Sequence, residues 1–279
     1  MSAEEIFCLL PEGAFPSLDA FQDFLSEDES CRNALAIDNG EIAPRGLENL
    51  ILTRSEQQSL TRTRTRLAAN FTAKLVGFCP WIKLVALSGS TAYDAAKPLD
   101  DLDFFVVARR NRVWTTLLVA MFLAKVDRLR NRGSAVLCFN RAMEERECML
   151  AFRSSTEPLF AREALNLKVL NGEDFYRQLL QVAPWMQDFF PVLYHSKVSG
   201  SNGKTAERTS KKPHFAVMNW AAMWGLAPYL WLAGLVRNAR LRKLANRSGQ
   251  FRTVVRRTSC AYESAKYEEL TAEYKRIFA

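Results

Sequence analysis

The sequence predicts an α+β protein, a mixed-sheet core with a small winged-helix-like unit in front and a helical domain behind. Three observations lead there. Apolar runs at 84–88 and 102–108 have strand length and bracket a loop that begins at Gly89-Ser90. Segments with the helical spacing of apolar residues flank them, at 55–76 and 113–129. From Glu157 onward the pattern reads as helical, so strands come first and helices afterwards. The expected division is a winged-helix-like module over 1–50, a core domain over 51–155 and a helical C-terminal domain over 156–279.

In chain order, 18–25 and 31–37 carry short helical patterns, and Asp38-Asn39-Gly40 is a turn signal before the strand-like Glu41-Ile42-Ala43. Next, Leu60, Leu67, Phe71 and Leu75 mark one face of an amphipathic helix, which leaves Arg62, Arg64 and Arg66 for the solvated side. The core strands follow, then the helix that ends near Asn131. Two more short strands are expected at 135–139 and 148–152. Beyond Glu157, Pro184, Pro191 and the polar stretch 196–212 break the helical pattern.

Charge narrows the functional classes. The chain of 279 residues has a formal net charge of +8, and its two ends differ in sign. Residues 1–60 hold twelve Asp/Glu against three Arg, whereas 197–257 holds thirteen Lys/Arg against Glu207 alone. A winged unit that gripped DNA would need the opposite sign, so DNA is not the expected partner of the N-terminal module. Six cysteines are scattered without a C-x-x-C, the usage of reduced thiols rather than a zinc ribbon. With only His195 and His214 present, neither beside a nucleophile-elbow sequence, hydrolase chemistry based on His is not expected. The opening MSAEEIFCLL has neither a basic region nor a long apolar core, and a cytoplasmic location is expected.

The candidate site lies between the two core strands. Residues two apart on a strand point to the same side, so Asp101 and Asp103 present both carboxylates on one face while Leu102 and Phe104 turn to the core. Paired carboxylates repel, and divalent cations with a preference for hard oxygen ligands, Mg²⁺ or Mn²⁺, relieve that repulsion. At the end of the neighbouring strand, Gly89 lets a ligand approach the backbone and Ser90 adds a hydroxyl, features suited to phosphate oxygens. Ser88-Gly89-Ser90, ten residues from Thr91 to Asp100, then Asp101-Leu102-Asp103 resemble the signature of the DNA polymerase β-like nucleotidyltransferase superfamily. Further blocks, among them RNRVW, LCFN, LFAREAL, GEDFY and APWMQDFFP, extend the resemblance to poorly characterised bacterial and archaeal nucleotidyltransferase-domain proteins over most of 30–195, with CAYESAKYEEL near the end.

The resemblance implies a nucleotidyltransferase-like fold and a set of roles. Asp101 and Asp103 would coordinate Mg²⁺ or Mn²⁺; Ser88, Gly89, Ser90 and Lys97 would meet the triphosphate of an NTP, expected to be ATP; and a hydroxyl on an unidentified small molecule or protein side chain would be the acceptor. A third carboxylate is expected from a later strand, with Glu147 as the candidate and Glu144 and Glu145 leaving its register open. Asp100 is expected behind the site, and Arg109, Arg110 and Arg112 flank it. The alternative is a non-catalytic nucleotide-binding or membrane-peripheral protein that retains the fold.

Two other stretches invite misreading. SGSNGKT at 199–205 ends like a Walker A loop but has Val198 where the first glycine belongs and no apolar strand leading in. The run 215–236 has no charged residue and is long enough to cross a bilayer, yet Asn219 and Pro228 interrupt it and basic residues stand on both flanks. It is expected to pack on the helices of 157–190, and at most a salt-sensitive peripheral membrane contact through 215–243 stays open.

Overall fold

The computed structural model describes residues 1–11, 13–130, 135–199, 214–243 and 250–277. At the front, α1 (Ala3–Phe7), α2 (Leu18–Glu27) and α3 (Glu29–Ala34) pack on an antiparallel hairpin, β1 (Leu35–Asp38) and β2 (Glu41–Pro44). Ser17 and Asp28 cap the second and third helices through bonds from the Ala20 and Cys31 amides. Asn39 and Gly40, both at positive φ, make the tight turn. Phe21, Leu25 and Ile42 give this unit its own small core, and the helix at 18–25, the turn at Asn39-Gly40 and the strand at 41–43 read from the sequence are present. Residues 35–37, read as the end of a helix, instead form the first strand.

The long helix α4 (Asn49–Phe78) leads into the main sheet. Its strands are β3 (Ile82–Ser88), β4 (Leu102–Ala108), β5 (Leu137–Glu144), β6 (Lys168–Asn171), β7 (Phe251–Arg256) and β8 (Ser259–Ser264). They lie in the order β6-β3-β4-β5-β8-β7. Only β4 and β5 run parallel, joined by α6 (Val113–Arg130), while every other neighbouring pair is antiparallel. The short α5 (Gly89–Ala92) follows β3. Helices α7 (Glu145–Ser154), α8 (Pro158–Leu165), α9 (Glu173–Gln181) and α10 (Pro191–Val198) follow, with α11 (His214–Lys243) and α12 (Ala265–Ile277) completing the chain.

Alternation along β4 splits the core between the two faces of the sheet. Phe105 and Val107 join Leu84, Phe152, Leu165 and Tyr176 on one side. Leu102, Phe104 and Val106 join Phe71, Leu75, Trp114 and Leu226 on the other. The same alternation carries Asp103 to one face and leaves Leu102 and Phe104 buried on the other, as the sequence implied.

Four expectations need correction. The C-terminal region is not a separate helical domain, because β6, β7 and β8 are strands of the core sheet itself. Residues 148–152 are helix, not strand: Cys148 and Phe152, four apart, are the buried pair, and Glu145 and Glu147 occupy the first turn, where the helix dipole favours anions. Arg64 is buried rather than solvated, and it donates to the Pro98 carbonyl at 3.0 Å. Finally, α11 packs on α6 and β7, not on the helices of 157–190.

Asn219 explains the polar interruption in α11. Its side-chain oxygen accepts from the Trp114 and Thr115 amides at 2.8 and 3.2 Å, satisfying two first-turn donors of α6 from a neighbouring helix. Gly234 does similar work at the other end, since a Cβ there would stand 2.3 Å from Thr253 Oγ1. Among the described residues no helix is long and apolar enough to cross a membrane.

Candidate functional site

The site begins where β3 ends. Ser88 is paired with Asp103 across the antiparallel ladder, so the turn that follows β3 is set directly against the start of β4. Gly89 has φ +64°, and a Cβ on it would stand 2.8 Å from Asp103 Oδ2. Both facts demand glycine: other residues rarely adopt the conformation, and the carboxylate fills the space a side chain would take. The result is a turn whose main chain packs directly on the Asp103 carboxylate.

The connecting loop is fastened from three sides. Asp100 Oδ2 accepts from Ser90 Oγ at 2.7 Å and from the Lys97 amide at 3.0 Å, which closes the loop on itself. From α4, Arg54 donates to the carbonyls of Tyr93 and Asp94, and Arg64 to that of Pro98. Lys168 of β6 pairs with Asp94 at 2.7 Å. Arg54 and Arg64 therefore act through the backbone of the loop that carries Gly89 and Ser90. Sequence periodicity reads Arg64 as a surface cation, because it cannot show which carbonyl a helix face meets.

Electrostatics at Asp103 are unfavourable to the charged form. Burial, and after it the neighbouring charge of Asp101, push its carboxyl from 3.8 up to about 6, against the opposing pull of a hydrogen bond from Cys138 and of Arg237. Cys138 lies beside Asp103 because β4 and β5 pair in parallel with those two residues in register. Burial and the Asp103 charge push the Cys138 thiol up, so it stays protonated and donates. Arg237 of α11 reaches to 3.9 Å from Asp101 Oδ2, with its guanidinium over the Phe251 ring.

A cleft of about 1050 Å³ opens on the side of Asp101. Leu67 and Phe71 of α4, Met121 of α6, Phe139 of β5, and Leu226 and Leu230 of α11 give it an apolar lining. Asp101, Cys138 and Arg237 line it as well. The cleft is therefore polar at the carboxylate and apolar over much of its wall.

The structure thus brings together Ser88, Gly89, Ser90, Asp100, Asp101 and Asp103, with Lys97 exposed on the same loop. Glu147 is elsewhere. It sits on α7, beyond the residue of β5 that pairs with Ala108, and Asp103 to Ala108 alone spans about 17 Å of strand. There its carboxylate accepts from Ser259 at 2.7 Å and from Thr258, tying α7 to the β7-β8 hairpin. It cannot complete a site at Asp101 and Asp103. Arg109, Arg110 and Arg112 also stand at that far end of β4, where Arg112 lies over the Trp81 ring. Cys138 and Arg237 are the neighbours that sequence reasoning missed, since strand register and the approach of a distant helix leave no local signal.

Asp101 and Asp103 are oxygen donors of the kind a hard divalent cation takes, and the charge of Asp101 helps to hold Asp103 above its usual pKa. No cluster of three or more His, Cys, Asp or Glu arranged for a metal is found among the described residues. The Walker-like 200–205 lies outside the described residues. Comparison of the chain with protein-family models, with curated proteins and with solved structures gives no match.

Proposed function

We propose that the protein transfers a nucleoside monophosphate from an NTP, with ATP as the expected donor, to an acceptor hydroxyl. The observation that carries this reading is the fit of Gly89 against Asp103: a glycine turn packed on a half-buried carboxylate, with a second carboxylate at Asp101. Asp101 and Asp103 would hold Mg²⁺ or Mn²⁺, and the metal when bound would offset charge on the triphosphate and on the leaving group. Gly89 gives phosphate oxygens access to the main chain, and the Ser90-Asp100 bond fixes the loop before the ligand arrives. Lys97 adds a cation from the exposed part of that loop.

The cleft at Asp101 is the space for the acceptor. An acceptor oxygen bonds to the α-phosphorus, the bond from that phosphorus to the bridging oxygen breaks, pyrophosphate departs, and the hydroxyl proton passes to water in the open cleft. The apolar walls exclude water from the body of the acceptor and hold its hydroxyl toward the carboxylates.

A second reading rests on Cys138. The strand beside Asp103 offers a protonated thiol in register, not a further carboxylate, which suits a protein that binds nucleotide without turning it over. One experiment separates the two. Purified protein is incubated with Mg²⁺, a cell extract and each α-labelled triphosphate. Transfer of label to an extract component, abolished in Asp103→Asn, supports the enzyme; Mg²⁺-dependent binding with no transfer supports the second reading.

A further inference from the structure

The buried residues of α11 fall on one stripe, Asn219, Ala222, Leu226, Leu230 and Gly234, toward the rest of the protein. On the opposite side, Val217, Trp220, Trp224, Trp231 and Leu235 recur at helical spacing, and their exposure runs from 46 % at Leu235 to 68 % at Val217. The strip is about 27 Å long at the usual helical rise. A surface helix ordinarily carries polar residues there, whereas 215–236 contains no charged residue. A hollow of about 260 Å³ opens among Met223, Trp224, Ala227, Pro228, Trp231 and Val255. An apolar surface of this extent marks a contact.

Two features choose the occupant. The first is the side-chain chemistry. Trp220, Trp224 and Trp231 carry indoles, which settle at the depth of lipid headgroups. The second is charge. The strand β7, against which α11 packs, exposes Arg252 and Arg256. In the sequence, Lys211 and Lys212 precede the strip, Arg240, Arg242 and Lys243 follow it, and no acidic residue occurs between Glu207 and Glu263. Cations on both sides of the strip in the sequence argue against a second copy of this chain paired strip on strip, since like charges would meet in either direction. They match an anionic lipid surface.

We propose that the outer face of α11 seats the protein on an anionic membrane, with the helix lying along the surface. Asn219 and Gly234 keep the inner face on α6 and β7, so the helix docks without leaving the fold. Docking does not depend on the reaction at Asp103.

Flotation of the full chain with vesicles tests this. The protein should float with vesicles of phosphatidylcholine plus phosphatidylserine and stay down with phosphatidylcholine alone, and raised salt should lower its partition by about tenfold or more. Tryptophan emission should shift to the blue and be quenched by lipids brominated on the acyl chains. Trp224→Ser/Trp231→Ser, with circular dichroism unchanged, should lose at least about tenfold in partition. The proposal is overturned by wild type that does not float with the anionic vesicles, or by a folded double variant that floats as well as wild type. It is also overturned by a lipid-free dimer whose tryptophans are already shielded, since a second copy would then own the face.

Discussion

Replacing Asp103 by Asn should make the metal-free protein more stable at neutral pH. The side chain keeps its shape and can still accept from the Cys138 thiol, but the half-buried charge disappears. The carboxyl is raised from 3.8 to about 6, so its ionisation in the fold is disfavoured by about 3 kcal/mol, at 1.36 kcal/mol per unit of pKa. The sign follows from proton binding. Between about pH 4 and pH 6 the folded state holds a proton that the unfolded chain has released, so stability falls as pH rises through that window and the full cost is present above it. Wild type should therefore lose up to about 3 kcal/mol on going from pH 4 to pH 7 in EDTA through this group, and Asp103→Asn should lack that component of the pH dependence. At pH 7 the variant should melt about 6 °C higher, at about 2 °C per kcal/mol for a chain of this size. Urea and thermal unfolding of both proteins across pH, with and without Mg²⁺, measure it, and Mg²⁺ should stabilise wild type selectively. A variant less stable than wild type at pH 7, or one with the same pH slope, would refute the reasoning.

Three further outcomes are expected. Gly89→Ala should destabilise by about 1–2 kcal/mol, from its φ of +64° and the 2.8 Å approach to Asp103, and should weaken Mg²⁺-triphosphate binding more than Ser90→Ala, which removes one hydrogen bond to Asp100; calorimetric titration compares them. Glu147→Gln should cost about 1–2 kcal/mol in urea unfolding through its bonds from Thr258 and Ser259 while leaving turnover per folded molecule unchanged; a hundredfold slower reaction with normal stability would return Glu147 to the site. Asn219→Leu should cost about 2 kcal/mol by leaving the Trp114 and Thr115 amides without their acceptor, and an unchanged urea midpoint would show that another group caps α6.

What the sequence made legible was local. The strands β3 and β4 show as apolar runs that stop at a glycine turn, and Asn39-Gly40 shows as a hairpin turn, because each depends on a few adjacent residues. Cys148 to Phe152 misleads because five mostly apolar residues fit a buried strand and a helix equally well; the acidic first turn of α7 and the burial of Cys148 with Phe152 decide for helix. That choice also moved Glu147 away from Asp103. The hairpin β7-β8 pairs with β5 across more than a hundred residues of chain, which no window of sequence reveals, although Thr253, Val254 and Val255 carry the β-branched signal of a strand. Likewise, Arg64 looks like its exposed neighbours Arg62 and Arg66 until the Pro98 carbonyl is placed beside it.

The central claim, that Gly89, Asp101 and Asp103 form one metal and triphosphate site, is tested most directly by calorimetric titration with an NTP analogue carrying a methylene bridge between the α- and β-phosphorus. Wild type should bind it saturably in Mg²⁺ and lose that binding in EDTA, and Asp101→Asn/Asp103→Asn should not bind it while keeping its circular dichroism. Absence of binding to wild type, or equal affinity in the folded double variant, would contradict the site.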